Sequence, residues 1–185
     1  MNNINFVKLD ASRIDDFYLV HSDSNGFGWC KCVAWWVESW DGWSERTEEE
    51  NKNLRESLFE IGEFDGYLLY VDGKPVGWCQ AGPRDRLKKL VLQFQLEPDP
   101  TVWAITCFCI APEYRGKGLS KIFLLKILDD LKNCKVKRVE AYPKASDISD
   151  AGDLWTGPIE TYLANGFEII REDPLKPVLS IRLND

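Results

Sequence analysis

Apolar positions along the chain fall into short strand-like runs separated by stretches of helical period. INFVKL (4–9) reads as a first strand, and DASRIDDFYLVHSD (10–23) as a helix with Asp10 or Ser12 as its cap and Ile14, Phe17 and Tyr18 on one face. SERTEEENKNLRESLFEIG (44–62) is a second helix. Thr47 and Glu50 have capping-box spacing, acidic residues fill its first turn, and Gly62 can end it. DGYLLYVDGKPVGWCQAG (65–82) reads as a hairpin turning at Asp72-Gly73, where positive φ is needed. TVWAITCFCIA (101–111) is almost continuously apolar, as a central strand buried on both faces would be.

After that run come two glycines and a helix pattern with Leu119, Ile122, Phe123, Ile127 and Leu131 at helical spacing, stopping near Asn133. KRVEAYP (137–143) is the next strand, and PKASDISDAGDLW (143–155) a polar loop. GPIETYLANGF (157–167) is a short helix with Pro158 in its first turn and Gly166 past its end, and EIIRED and VLSIRL close the chain as strands. Hairpins mixed with crossovers imply a mixed α/β sheet with helices on its faces. Only NGFGWCKCVAWWVESWDGW (25–43) fits neither period.

Composition narrows the function classes. The chain has 185 residues, 44% of them hydrophobic, which suits one well-buried core. Its net charge is −7 and its pI about 4.9, which argues against nucleic acid and anionic membrane as partners. No basic, apolar leader and no run of about 18 apolar residues is visible. A cytoplasmic location is therefore expected, with the six cysteines as reduced thiols.

The chemistry-bearing stretch is IAPEYRGKGLSKIFL (110–124). A buried strand that feeds a short glycine loop and then a helix is architecture for binding phosphate. The first amides of the helix lack partners, and its dipole places partial positive charge there. Gly116 and Gly118 allow close approach of an anion, while Arg115 and Lys117 add charge. The Walker A spacing fails because Leu119 follows Gly118, and the dinucleotide fingerprint fails because Lys121 stands where the third glycine belongs.

A third pattern fits: Arg/Gln-x-x-Gly-x-Gly/Ala between a strand and a helix, met here by Arg115, Gly118 and the small Ser120. With APEYRGKGLSKIFLLKIL and, downstream, TYLANGFEII, the chain resembles the GNAT superfamily of acyl-CoA-dependent N-acetyltransferases, over nearly its whole length. CFCIAPEYRGKG, EAYP and WTG…GF resemble an uncharacterised bacterial branch of it. Trp155 departs from the asparagine often found seven residues before the tyrosine.

The resemblance implies a GNAT fold: a mixed, mostly antiparallel central sheet of about seven strands flanked by about four helices. The sheet would be splayed between the strands at 101–111 and 137–142. It implies a single domain over 1–185, with an acceptor-side half at 1–100 and an acetyl-CoA-binding half at 101–185. Acetyl-CoA would be the co-substrate, with no metal. Phe108, Cys109 and Ile110 would pair with the pantetheine arm. Arg115, Gly116, Lys117, Gly118, Leu119 and Ser120 would hold the pyrophosphate. Tyr162 would protonate the departing thiolate, being protonated at neutral pH, or else simply pack against the sheet. Glu140 would be the base, directly or through water, or else an ordinary strand charge. The acceptor would be a small amine, and superfamily members are often dimers. Rival readings are an acyl-CoA-binding module without turnover and a transferase of another acyl group.

Three features stay outside that scheme. The single histidine, His21, reads as structural or surface. The pairs Cys30/Cys32 and Cys107/Cys109 have one-residue gaps, shorter than structural zinc sites use, and read as small buried apolar residues. The tryptophans at 29, 35, 36, 40 and 43 either line an acceptor pocket or fill the core under a long connection.

Overall fold

The computed structural model describes residues 3–23, 28–144, 155–174 and 176–184; the polar loop expected at 143–155 lies largely outside them. Seven strands form one sheet in the order β1-β2-β3-β4-β5-β7-β6. They are β1 (Ile4–Lys8), β2 (Tyr67–Val71), β3 (Lys74–Pro83), β4 (Val102–Ile110), β5 (Arg138–Ala141), β6 (Glu168–Arg171) and β7 (Val178–Arg182). Every neighbouring pair is antiparallel except β4 with β5. The helices are α1 (Ile14–Tyr18), α2 (Glu48–Glu60), α3 (Lys88–Phe94), α4 (Leu119–Asn133) and α5 (Ile159–Leu163).

The local signals act as their chemistry requires. Thr47 Oγ1 accepts from the Glu50 amide at 3.2 Å and Glu50 Oε2 accepts from the Thr47 amide at 2.7 Å, closing the capping box. Asp10 accepts from the Ser12 amide at 2.9 Å. Asp72 and Gly73 both take positive φ, 51° and 79°, in the β2–β3 turn. The first helix begins as a tight turn, is α-helical only over Ile14–Tyr18, and widens over Leu19–Asp23. α4 ends at Asn133, as the pattern expects, and just beyond it Lys135, with φ of 62°, lets the Val136 amide reach back to Leu131 O at 3.0 Å. Pro158 caps α5 from outside rather than sitting in its first turn. α3 stands where the sequence pattern assigns no element.

Alternation along β2 sorts the core into two faces. Tyr67, Leu69 and Val71 pack with Phe123 and Ile127 of α4 and with Tyr162 of α5. Leu68 faces the opposite way, to Phe17, Val20, Phe59, Trp78 and Cys107. Where β2 begins, the two backbones come close. A Cβ on Gly66 would lie 2.1 Å from Trp78 Cη2 and 2.7 Å from Cys79 O. Gly66→Ala is therefore expected to destabilise the fold by about 1–3 kcal/mol through overpacking. A urea titration would show it, and an unchanged midpoint would contradict this packing.

Among the described residues, no helix is long and apolar enough to cross a membrane.

Candidate active site

The strand-to-helix loop is built as the sequence suggests. After Ile110 the chain makes one tight turn at Pro112–Tyr114, then Gly116 and Gly118 take φ of 71° and 73°. These left-handed positions explain why glycine stands there. A Cβ added at either would meet no atom within 4 Å, so open space lies over both. Gly118 is the N-cap of α4 and supplies no side-chain cap. The first-turn amides of Leu119, Ser120 and Lys121 therefore face that space with the positive end of a 15-residue helix behind them. Both loop cations are tethered: Arg115 Nε donates to Ile110 O at 2.8 Å, and Lys117 Nζ donates to Glu113 O at 2.8 Å. Arg115 thus ties the loop to the end of β4.

The sheet opens beside this loop. The β4–β5 ladder runs from Val102↔Arg138 to Ile105↔Ala141 and stops, while β4 continues to Ile110. A register shift between Gln80 and Ala81 on β3 faces an extra residue, Thr106, on β4, and such a bulge bends the strand. Beyond it, Phe108 and Ile110 turn backbone groups away from β3 into the opening. The Phe108 amide donates to Trp155 O at 2.8 Å. Cys109 lies on the same strand, with a half-buried side chain.

Tyr162 is buried at the inner end of the opening, 1% exposed, and its hydroxyl donates to Thr156 O at 2.7 Å. Its ring meets Phe108 edge-on, with 6.3 Å between centroids. Burial pushes its phenol well above the usual range, with the neighbouring thiols of Cys79 and Cys107 adding to the shift, so it carries its proton at neutral pH. Trp155 and Thr156 thus occupy the Phe108 amide and the Tyr162 hydroxyl, two of the groups expected to meet the pantetheine arm and its thiol.

Glu140 lies on β5, opposite Ala104 and one residue before the ladder ends. Its side chain is 2% exposed. Both its oxygens lie 3.2 Å from one guanidinium nitrogen of Arg84, and the Tyr142 hydroxyl donates to it at 2.5 Å. Arg138 adds an ion pair at 3.4 Å. A carboxylate so occupied is poorly placed to take a proton from an incoming amine, and the geometry favours its reading as a structural charge. Arg84, its partner, carried no signal in the sequence.

The aromatic segment holds a cation of the chain's own. Lys89 Nζ lies 3.3 Å from the centre of the Trp40 ring, with Trp43 and Trp35 at 5.5 and 5.6 Å. Burial lowers the Lys89 amine to about 8, while the surrounding indole faces favour its charged form.

Three of the cysteines lie near the single histidine. His21, buried rather than at the surface, has a ring nitrogen within 4.8 Å of both the Cys32 and Cys107 sulfurs, which lie equally close to each other. His21 Nε2 is 3.8 Å from Cys30 Sγ. Burial works against a charged imidazole, but hydrogen bonds with Cys30 and Cys32 outweigh it and raise His21 to about 10. These residue types could hold a metal, and they lie on the face of β4 opposite Phe108.

Comparison with known proteins bears on the fold that carries these features. The model of the acetyltransferase (GNAT) family matches residues 29–149. No curated protein matches the chain significantly. Among solved structures, PaiA N-acetyltransferase from Thermoplasma acidophilum, in complex with coenzyme A, has 16% identity and a TM-score of 0.58, over 97% of this chain and 99% of that one. The ribosomal-protein-S18-alanine N-acetyltransferase from Escherichia coli has 11% identity and a TM-score of 0.59, over 99% and 96%. The loading GNATL domain of CurA from Lyngbya majuscula has 14% identity and a TM-score of 0.60, over 98% of each chain. At these identities the likeness is one of fold.

Proposed function

The chain belongs to the acetyltransferase (GNAT) family, and on that premise we propose that it transfers an acetyl group from acetyl-CoA to the primary amine of a small acceptor by direct attack in a ternary complex. The observation that carries this reading is the uncapped, glycine-lined start of α4 beside the point where β4 and β5 part. In this reading the open space over Gly116 and Gly118 would receive the pyrophosphate. The amides of Leu119, Ser120 and Lys121 would donate to it, and Arg115 and Lys117 would add positive charge at the rim. The coenzyme A held by the Thermoplasma neighbour supports the same ligand class.

The pantetheine arm would lie along the free edge of β4. Phe108 and Ile110 face that edge, and the Phe108 amide becomes available once Trp155 O moves off it. The same displacement frees the Tyr162 hydroxyl from its neighbour Thr156. Tyr162 would then protonate the departing thiolate, a phenol held protonated by burial giving its proton to sulfur and regaining one from solvent before the next turnover. Because Glu140 is held by Arg84, the ammonium proton of the acceptor is assigned to solvent through water in this reading.

Tyr162→Phe is expected to lower kcat about 10- to 100-fold with little change in acetyl-CoA affinity. An equal loss of affinity, or an unchanged kcat, would remove the acid role. The function itself is tested by following coenzyme thiol release over a panel of amines, with intact-mass analysis of the protein during a single turnover. Thiol release with an acetylated amine and no acetylated protein is expected. An acetyl-enzyme would exclude direct attack, and binding without turnover on any amine would favour a coenzyme-sensing module.

A further inference from the structure

We propose that His21, Cys30, Cys32 and Cys107 form a binding site for a single zinc ion. The four come from three places in the chain: the widened end of the first helix, the turn at 28–32, and the middle of β4. Nothing in their spacing joins them, yet the fold gathers them on one face of the sheet. The His21 nitrogen and the Cys32 and Cys107 sulfurs all lie within 4.8 Å of one another, and Cys30 Sγ stands 3.8 Å from His21 Nε2. Zinc–sulfur bonds of about 2.3 Å and zinc–nitrogen bonds of about 2.0 Å set tetrahedral ligands about 3.3–3.8 Å apart. Side-chain adjustments of about 1 Å therefore close His21, Cys32 and Cys107 round an ion, and Cys30, which stands beside His21 but outside that 4.8 Å group, completes the set by a larger side-chain movement. Imidazole with three thiolates is a ligand set that selects zinc over the hard divalent cations.

A second observation points to an anionic centre here. Arg55 is 1% exposed, and among the described residues it forms no ion pair with a carboxylate. Its guanidinium donates to Lys31 O at 3.0 Å, Cys32 O at 2.5 Å and Gln80 Oε1 at 3.3 Å, and it lies against the rings of Phe17, Trp36 and Phe59. A buried cation needs a counter-charge close by. Zinc with three thiolates and a neutral imidazole carries one net negative charge, which Arg55 balances. The thiol protons leave to solvent as the metal binds.

The shell around the ligands is also furnished. Trp78 Nε1 donates to Cys32 Sγ at 3.5 Å, the outer-shell contact that thiolate ligands use. Lys31 and Cys32 hold φ of 43° and 56°, strained values for residues with side chains, and Arg55 pins both their carbonyls. A closed set of four protein ligands leaves no open position, so the ion is structural. It fastens the segment after residue 28 to β4, on the face away from the proposed coenzyme edge. The proposal stands apart from the acetyl-transfer reading.

The test is elemental analysis of the full-length protein, expressed with zinc in the medium and purified reduced and without chelator. One zinc per chain is expected. Cys32→Ala and Cys107→Ala should weaken retention about tenfold or more, while Cys79→Ala, a buried thiol in the other core, keeps the metal. Because the ligand variants could fail to fold, wild-type protein stripped of metal and shown to be folded is also titrated with Co2+. Tetrahedral thiolate–cobalt absorption, abolished by added zinc, is the expected result. A folded, fully reduced wild-type protein that takes up neither metal overturns the proposal, as does retention of zinc in both ligand variants.

Discussion

A tryptophan at position 118 should abolish saturable acetyl-CoA binding while the protein stays folded. Gly118 has φ of 73°, and a Cβ there meets no atom within 4 Å. The stability penalty is therefore confined to placing an L-residue in the left-handed region, about 1–2 kcal/mol. The indole itself stands in the open space over the first turn of α4. It removes room for the anion and with it several charge-assisted hydrogen bonds, each worth about 1.5–3 kcal/mol. A fall in affinity of about 100-fold or more follows. Equilibrium dialysis with labelled acetyl-CoA, alongside a thermal melt of the same sample, separates loss of site from loss of fold. Undiminished affinity in the variant would mean that the coenzyme lies elsewhere.

Glu140→Ala should be the most damaging single change to stability among those considered, about 3–5 kcal/mol. It takes the buried carboxylate from the Arg84 guanidinium, whose side chain is 3% exposed, leaving it Asp85 at 3.5 Å and the Glu97 carbonyl, and it leaves the Tyr142 hydroxyl without its acceptor. Glu140→Gln keeps an acceptor for both and should cost less. Chemical denaturation of the two variants, with Arg84→Met as the second arm of a double-mutant cycle, measures the coupling. The link to function is positional. Glu140 sits beside Ala104 just before the β4–β5 ladder ends, so the Arg84 clamp lies where the sheet opens. A full-length variant with wild-type stability and no activity would instead return Glu140 to the role of base.

Much of this was legible from local chemistry. The capping box at Thr47 and Glu50, the Asp72-Gly73 turn and the glycine loop before α4 are short-range devices whose partners lie within a few residues. Their sequence spacing is their geometry. The continuous apolar run of β4 likewise announced a central strand. α3 was not legible: its seven residues are flanked by charge, and its apolar side is defined only by Trp35, Tyr142 and Val178 packing against it.

The site divides along the same line. The anion-binding loop is local and was read from its glycines. Glu140 looked like a free carboxylate because Arg84 is 56 positions away, and that pairing is created by β3 meeting β4 and β5. His21 looked structural because Cys107 lies 86 positions away on another element (107 − 21). The tryptophan segment suggested either an acceptor pocket or core filling, and three of its rings surround the chain's own Lys89. Long-range pairs of charged and ligating groups have no signature in one sequence until the strand order is known.

The most direct test of the acetyl-CoA site is calorimetric titration of the wild-type protein with acetyl-CoA and, separately, with free coenzyme A. Saturable binding at one site per chain, with heat and affinity that weaken as salt rises, is the expected result for phosphates held by helix amides, Arg115 and Lys117. A folded protein that binds neither would show that the loop at 115–120 is an ordinary turn and that acetyl transfer is not this chain's activity.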